Sequence, residues 1–389
     1  MKTLQFLFRG LLTSMIFVSC NNESSEIVVQ DEQQNSVSID KKEIAFNFIT
    51  LMKNDAFKKE TLDALNNQKP SVLLSKILKK SASYVNDEKA YQKLLKQSTS
   101  LEKKASSKKA PEKIEILEVW LHNPQKRKNL SNVLFAFSPD GDENNWEHLV
   151  AYTLDKKEVI LDARKAPHRP VIVIETNGYE ALKKEVYYMN KYLREEGVQN
   201  QRFNKNDLEL NKMLSGKNAL ETTKLDKIRL NNDEEPWISG AAEIYAITSG
   251  IKDDGNKPEI KVIPMYYLDH DETDYYPNQI LLFWDDYKYQ AANIQLFEKD
   301  DNINYKNLVT TIVNGVFQIV GTVSTQPWIG VLGQVAGAII QAMPNDWYTN
   351  NDDYVDSFYT IEKYKAYQNY CGARKNATVD LSPFYVSPN

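Results

Sequence analysis

Gln279-Ile280-Leu281-Leu282-Phe283-Trp284-Asp285-Asp286, followed by Asn293-Ile294-Gln295-Leu296-Phe297 and Glu298-Lys299-Asp300-Asp301, decides the reading of this chain. Each apolar run is too short for a helix, and acids close it. Residues 238–248 and 259–265 repeat the pattern upstream. Short strands with a turn signal about every ten residues leave no room for crossover helices, so an antiparallel β-sandwich is predicted over 225–389. In a sandwich the loops between successive strands return to the same ends. That gathers acids in the manner of calcium-binding C2-like sandwiches.

Working outward, residues 179–224 read as a helix and a linker. Leu182, Val186, Met189 and Leu193 share one helical face, Gly197 stops the helix, and 200–224 is polar and aperiodic. Residues 111–178 read as a small β domain, with strands expected from Lys113 and at 133–137, 148–154, 158–161 and 170–176. Residues 41–110 read as a helical segment. Asp40 and Glu43 form a capping box ahead of Ile44, Phe48 and Leu51, a second helix uses Leu74, Ile77 and Leu78, and 84–109 continues helical. The fold class is therefore α+β.

Before this lies a bacterial lipoprotein signal. Lys2 and Arg9 precede a short apolar run over 10–18, and Phe17-Val18-Ser19-Cys20 ends at a cysteine followed by polar residues. Residues 1–19 are expected to be removed, Cys20 to be acylated, and 20–40 to act as a flexible tether. This places the protein in the cell envelope, anchored by lipid to a membrane, with the outer membrane expected. The chain has two cysteines, so lipid on Cys20 leaves Cys371 without an intramolecular disulfide partner.

The net charge of −5 conceals two opposite halves. Residues 41–113 hold 17 Lys against 8 acids, whereas 225–356 hold 8 Lys and Arg against 21 acids. Aromatic residues do not interleave with the basic run, which speaks against nucleic acid. Calcium, a hard cation that takes six to eight oxygens, suits the acidic loops. Its expected ligands are Asp233, Asp269, Asp271, Asp285, Asp300 and Asp301. Glu243 interrupts an apolar strand and reads either as exposed or as a metal ligand or the partner of an arginine. The four histidines never take the spacing of a helical zinc pair, and the sequence has no nucleophile elbow, P-loop or dinucleotide fingerprint.

Residues 307–345 contain no charged side chain. Thr310, Asn314, Gln318 and Thr322 recur every fourth residue as a polar stripe, Pro327 breaks the helix, and Gly330, Gly333 and Gly337 follow on a second one. Each arm is shorter than a membrane span, so a helical hairpin packed on the sandwich is expected, with the glycines admitting a neighbouring helix.

The runs Glu235-Pro236-Trp237-Ile238-Ser239-Gly240-Ala241-Ala242-Glu243-Ile244-Tyr245, Tyr267-Leu268-Asp269-His270-Asp271 and Pro170-Val171-Ile172-Val173-Ile174-Glu175-Thr176-Asn177-Gly178 resemble a bacterial family catalogued as domain of unknown function 3103. The resemblance implies a secreted or surface protein and carries over no catalytic residues. The expected function is that of a lipid-anchored envelope module that binds or scaffolds an extracellular ligand with calcium. Two alternatives stay open: a membrane-active protein using 307–345, and a hydrolase with carboxylates in the acidic loops.

Overall fold

The computed structural model describes residues 39–386 except 68–70, 86–87, 108–110, 112, 124–129, 131, 140–144, 201–219, 233–236, 241–242, 253–256, 269, 300–303, 321–327 and 344–353. Asp40–Asn389 forms one compact unit. The chain is α+β, with seven α-helices and fourteen strands among the described residues.

Helix α1 (Lys41–Leu51) starts at the capping box, where the Asp40 carboxylate accepts the Glu43 amide at 2.8 Å. Next come α2 (Asp55–Asn67), α3 (Leu74–Val85) and α4 (Lys89–Ala105). The stretch expected to run on as helix from Tyr84 is thus divided. The division falls between Val85 and Lys89.

The first sheet contains β1 (Val72–Leu73), β2 (Glu118–His122), β3 (Leu134–Phe137), β4 (His148–Tyr152), β5 (Glu158–Asp162) and β6 (Val171–Glu175), in the order β1-β2-β6-β3-β4-β5. Its pairs are antiparallel except β3 with β6. Both faces of its centre are covered, which is why β6 reads as the unbroken apolar run Val171-Ile172-Val173-Ile174. Phe135 meets Phe48 of α1 edge-on at 6.2 Å, while Val171 and Val173 join Trp146 and Ile238 on the other side.

Helix α5 (Tyr179–Glu195) leaves β6 through a three-residue turn and ends at Gly197, whose φ of 74° suits glycine. Two four-stranded antiparallel sheets follow. One has the order β10-β7-β14-β13 and the other β12-β11-β8-β9. The strands are β7 (Leu220–Leu230), β8 (Tyr245–Ile251), β9 (Pro258–Pro264), β10 (Gln279–Phe283), β11 (Ala291–Phe297), β12 (Tyr354–Glu362), β13 (Tyr367–Cys371) and β14 (Ala377–Val386). Leu225, Ile228 and Leu282 of one sheet share a core with Ala246, Ile294 and Phe358 of the other.

Strand β7 begins inside the stretch read as linker. Its first residues gain their ladder from β14 and β10, partners far away in sequence. Strands β12 and β14 likewise owe their places to distant partners, β11 and β7, and among the described residues β13 pairs with β14 alone. Asp356, one of the 21 acids of the 225–356 stretch, is a fully buried pin on β12. Its carboxylate accepts the backbone amides of Ser357, Arg374, Asn376 and Ala377 at 2.7–2.9 Å, and a Cβ on Gly372 would collide with it. It fixes the turn between β13 and β14.

The outer face of the second of these sheets, built from Tyr245, Ile247, Val262 and Phe297, packs against α5, α6 (Tyr305–Val320) and α7 (Trp328–Ala342). The uncharged hairpin therefore lies on the sandwich. Among the described residues, no helix is long and apolar enough to cross a membrane.

Candidate functional site

Helices α6 and α7 each bury one face and expose the other. Ile312, Val313 and Val316 of α6 pack with Val331, Leu332, Val335 and Ile339 of α7 in the core against the sheet. Two buried amides on β11 hold α7 in place: Asn293 Nδ2 donates to the Leu332 carbonyl at 3.0 Å and Gln295 Nε2 to the Ala336 carbonyl at 3.2 Å. The helix carbonyls satisfy the two NH2 groups in an otherwise apolar layer, and the Asn293 oxygen accepts the Thr360 amide at 3.0 Å.

The opposite faces leave an open groove of about 710 Å³ between the helices. Exposed Thr311, Asn314 and Gln318 line one wall and exposed Gln334 and Gln341 the other, with Gly315, Gly337 and Ala338 between them. None of its lining residues carries a charge. The helices approach closely at Gly315, where a Cβ would stand 3.6 Å from that of Ala338. Gly330, Gly333 and Gly337 serve a different purpose from the one expected. A Cβ at each would meet nothing within 4 Å, so the described residues bring no helix against them.

A second constellation surrounds the start of α5. Gly178 is its N-cap and offers no side-chain acceptor, so Glu118 of β2 reaches across and accepts the amides of Glu180 at 2.8 Å and Ala181 at 3.4 Å. Ser71 Oγ donates to the other oxygen of Glu118. Burial pushes the Glu118 carboxyl up to about 7, against the pull of those hydrogen bonds. Glu175 lies directly opposite Glu118 in the β2–β6 register and accepts from Trp120 Nε1 at 2.9 Å. A Cβ on Gly178 would meet the Glu175 carboxylate, which would have to shift to admit it.

Next to this pair, buried Lys299 donates to the Asn177 carbonyl at 2.8 Å, with Glu243 at 3.7 Å and Glu185 at 3.9 Å. Glu243 is thus buried beside a cation, and its exposed reading is corrected. Buried charges need partners, and Lys299 is the partner here. The arrangement ties β2, β6, α5 and the sandwich together. The sequence reading missed Glu118, Glu175 and Lys299. The signal was present in Glu175, an acid that closes four consecutive apolar residues.

The acids expected to bind calcium are only partly visible. Asp233, Asp269, Asp300 and Asp301 lie outside the described residues, as does Cys20. Asp271 sits exposed on a turn after β9, and Asp285 is exposed on the short 3-10 turn after β10. Among the described residues, no three His, Cys, Asp or Glu side chains are grouped so as to hold a metal ion. Neighbouring Asp286 is buried and accepts from Asn200 Nδ2 at 2.9 Å, while the Asn200 amide donates to Glu259 at 2.8 Å. It therefore belongs to a structural clamp.

Two of the runs that carry the sequence resemblance meet in the second constellation: Gly240 lies against Trp120 and Glu175, and Glu243 stands beside the lysine bound to Asn177. A family model described as Protein of unknown function (DUF3103) matches residues 41–389. The chain belongs to that family. The matched span takes in both constellations and excludes Cys20 and the whole of the expected tether. No curated protein and no solved structure matches the chain.

Proposed function

We propose that this protein is a lipid-anchored binding module of the bacterial cell envelope, taking a neutral, hydroxyl-rich ligand such as an oligosaccharide in the groove between α6 and α7. The observation that carries the reading is the groove itself: an open concavity walled by one Asn, one Thr and three Gln, with no charged side chain. Each amide offers both a donor and an acceptor, which matches hydroxyls that do the same. A charged ligand gains no counter-ion there and loses hydration. The volume falls in the range of small-ligand sites. The anchor half of the reading rests on Lys2, Arg9 and the Phe17–Cys20 run.

Titration calorimetry with a panel of neutral and acidic oligosaccharides tests the groove. Neutral members are expected to bind, and Gln334→Lys with Gln341→Lys is expected to weaken them at least tenfold at an unchanged melting temperature. Failure of every neutral member to bind, or indifference to the two substitutions, removes the groove reading. Mass spectrometry of membrane-extracted protein tests the anchor, through an acylated Cys20 that is lost in Cys20→Ser.

A further inference from the structure

We infer that the lysine face of α3 and α4 is a contact surface for a membrane rich in anionic lipid headgroups. On α4, Ala90, Tyr91, Leu94, Ser98, Leu101 and Ala105 are buried, and Lys89, Lys93, Lys96 and Lys103 are exposed. Steps of four, three and seven residues bring these lysines onto one line opposite the buried face, about 21 Å long at 1.5 Å per residue. Helix α3 adds exposed Lys76, Lys79 and Lys80 opposite buried Leu74, Ile77, Leu78 and Ser81. Over the two helices eight lysines stand against one acid, Glu102. Glu60 and Glu43, from neighbouring helices, each engage one of these lysines, Lys80 and Lys93, so the face stays strongly positive.

The occupant follows from charge and from chain length, and it rests on the anchored reading above. The Glu43–Lys93 pair places the first turn of α1, where the chain enters the compact unit, beside α4. The expected acylation site at Cys20 lies only twenty residues upstream of Asp40. A chain of that length acting as the expected tether would span about 25 Å on a root-mean-square basis, which would hold an anchored protein close to its bilayer. The acid-rich stretch 225–356 is repelled by the same lipid surface, which favours an approach through the lysine face. Acyl chains and a polybasic face acting together anchor a protein more firmly than either alone.

The test uses the chain from Asn21 onward, which retains the whole compact unit Asp40–Asn389 and lacks Cys20. Cosedimentation is measured with vesicles of phosphatidylcholine alone and with about one-third phosphatidylglycerol. Binding is expected only to the anionic vesicles and is expected to fall as salt rises. The combined variant Lys79→Glu, Lys89→Glu, Lys96→Glu, Lys103→Glu should weaken it at least a hundredfold, given about fivefold per lysine near such a surface. Its circular dichroism melt should match the parent, and Lys157→Glu on the first sheet should bind as the parent does. Absence of anionic binding, equal binding to neutral vesicles, or full binding by the fourfold variant overturns the proposal. So does capture by duplex DNA without capture by vesicles. Acylation of Cys20 is read separately by mass spectrometry, so failure of the anchor and failure of the lysine face give different results.

Discussion

The pair α3–α4 and the pair α6–α7 are built alike and dressed differently. Each buries one face in an apolar core and turns the other to solvent, yet the first exposes lysines and the second amides and glycines. Burial therefore explains only half of each helix. The exposed halves, which contribute little to folding, carry the difference in what each pair can meet: an anionic surface for one, a neutral hydrogen-bonding ligand for the other.

The shared design can be broken first at the cores. Leu94→Ala in α4 and Leu332→Ala in α7 remove side chains that are at most 1% exposed, and each is expected to cost about 2–5 kcal/mol in denaturant unfolding. A much smaller loss at Leu332 would mean that the hairpin is not packed as described.

The two pairs are also fastened differently, which pH should reveal. The Ser71–Glu118 bond ties the segment leading into α3 to the start of α5, whereas Asn293 and Gln295 hold α7 with groups that do not titrate. Burial raises the Glu118 carboxyl from its ordinary 4.5 to about 7. A raised carboxyl is protonated in the folded state where the unfolded state has already ionised. Its contribution is thus complete below about 4.5 and is lost as pH rises to about 7. The loss is about 3 kcal/mol at 1.36 kcal/mol per unit. Glu118→Gln should flatten that slope in melts between pH 4 and 8, and an unchanged slope would assign the titration to another group.

Asn293→Leu is expected to cost about 1–3 kcal/mol independently of pH, because the Thr360 amide loses its acceptor and α7 loses a donor. A pH-dependent loss at this position would erase the distinction between the two fastenings. The smallest effect belongs to the groove. Gly337→Ala has open space for its methyl group and should raise stability by about 0.5–1 kcal/mol through helix propensity, while the filled groove binds oligosaccharide less well. A gain in stability with no loss of binding would place the ligand elsewhere.

Much of this was legible along the chain. The capping box at Asp40, the stop at Gly197, the β10 and β11 runs and the polar stripe at Asn314 and Gln318 are local patterns, and each appears where its spacing predicts. Strands β12 and β14 were not legible, because their register depends on β11 and β7, strands far away in sequence, and β13 is placed in turn by β14. Glu118 looks like a strand acid and acts as the cap of a helix sixty residues on. Asp356 looks like a loop acid and acts as a buried pin. In both cases the role is set by hydrogen bonds from backbone amides 18 or more residues away, which no local window contains.

The sequence by itself determined the helical periods, the opposite charge of the two halves and the charge-free hairpin, because these depend on neighbours within one or two turns. Only the tertiary structure decided that the two carboxyls of Glu118 and Glu175 face each other and that Lys299 sits between Glu243 and Glu185. It alone placed the two polar stripes of the hairpin on opposite walls of one groove. Those are meetings between distant segments, and the free energy that selects them comes from burying the apolar faces behind them, with the polar groups placed as a consequence.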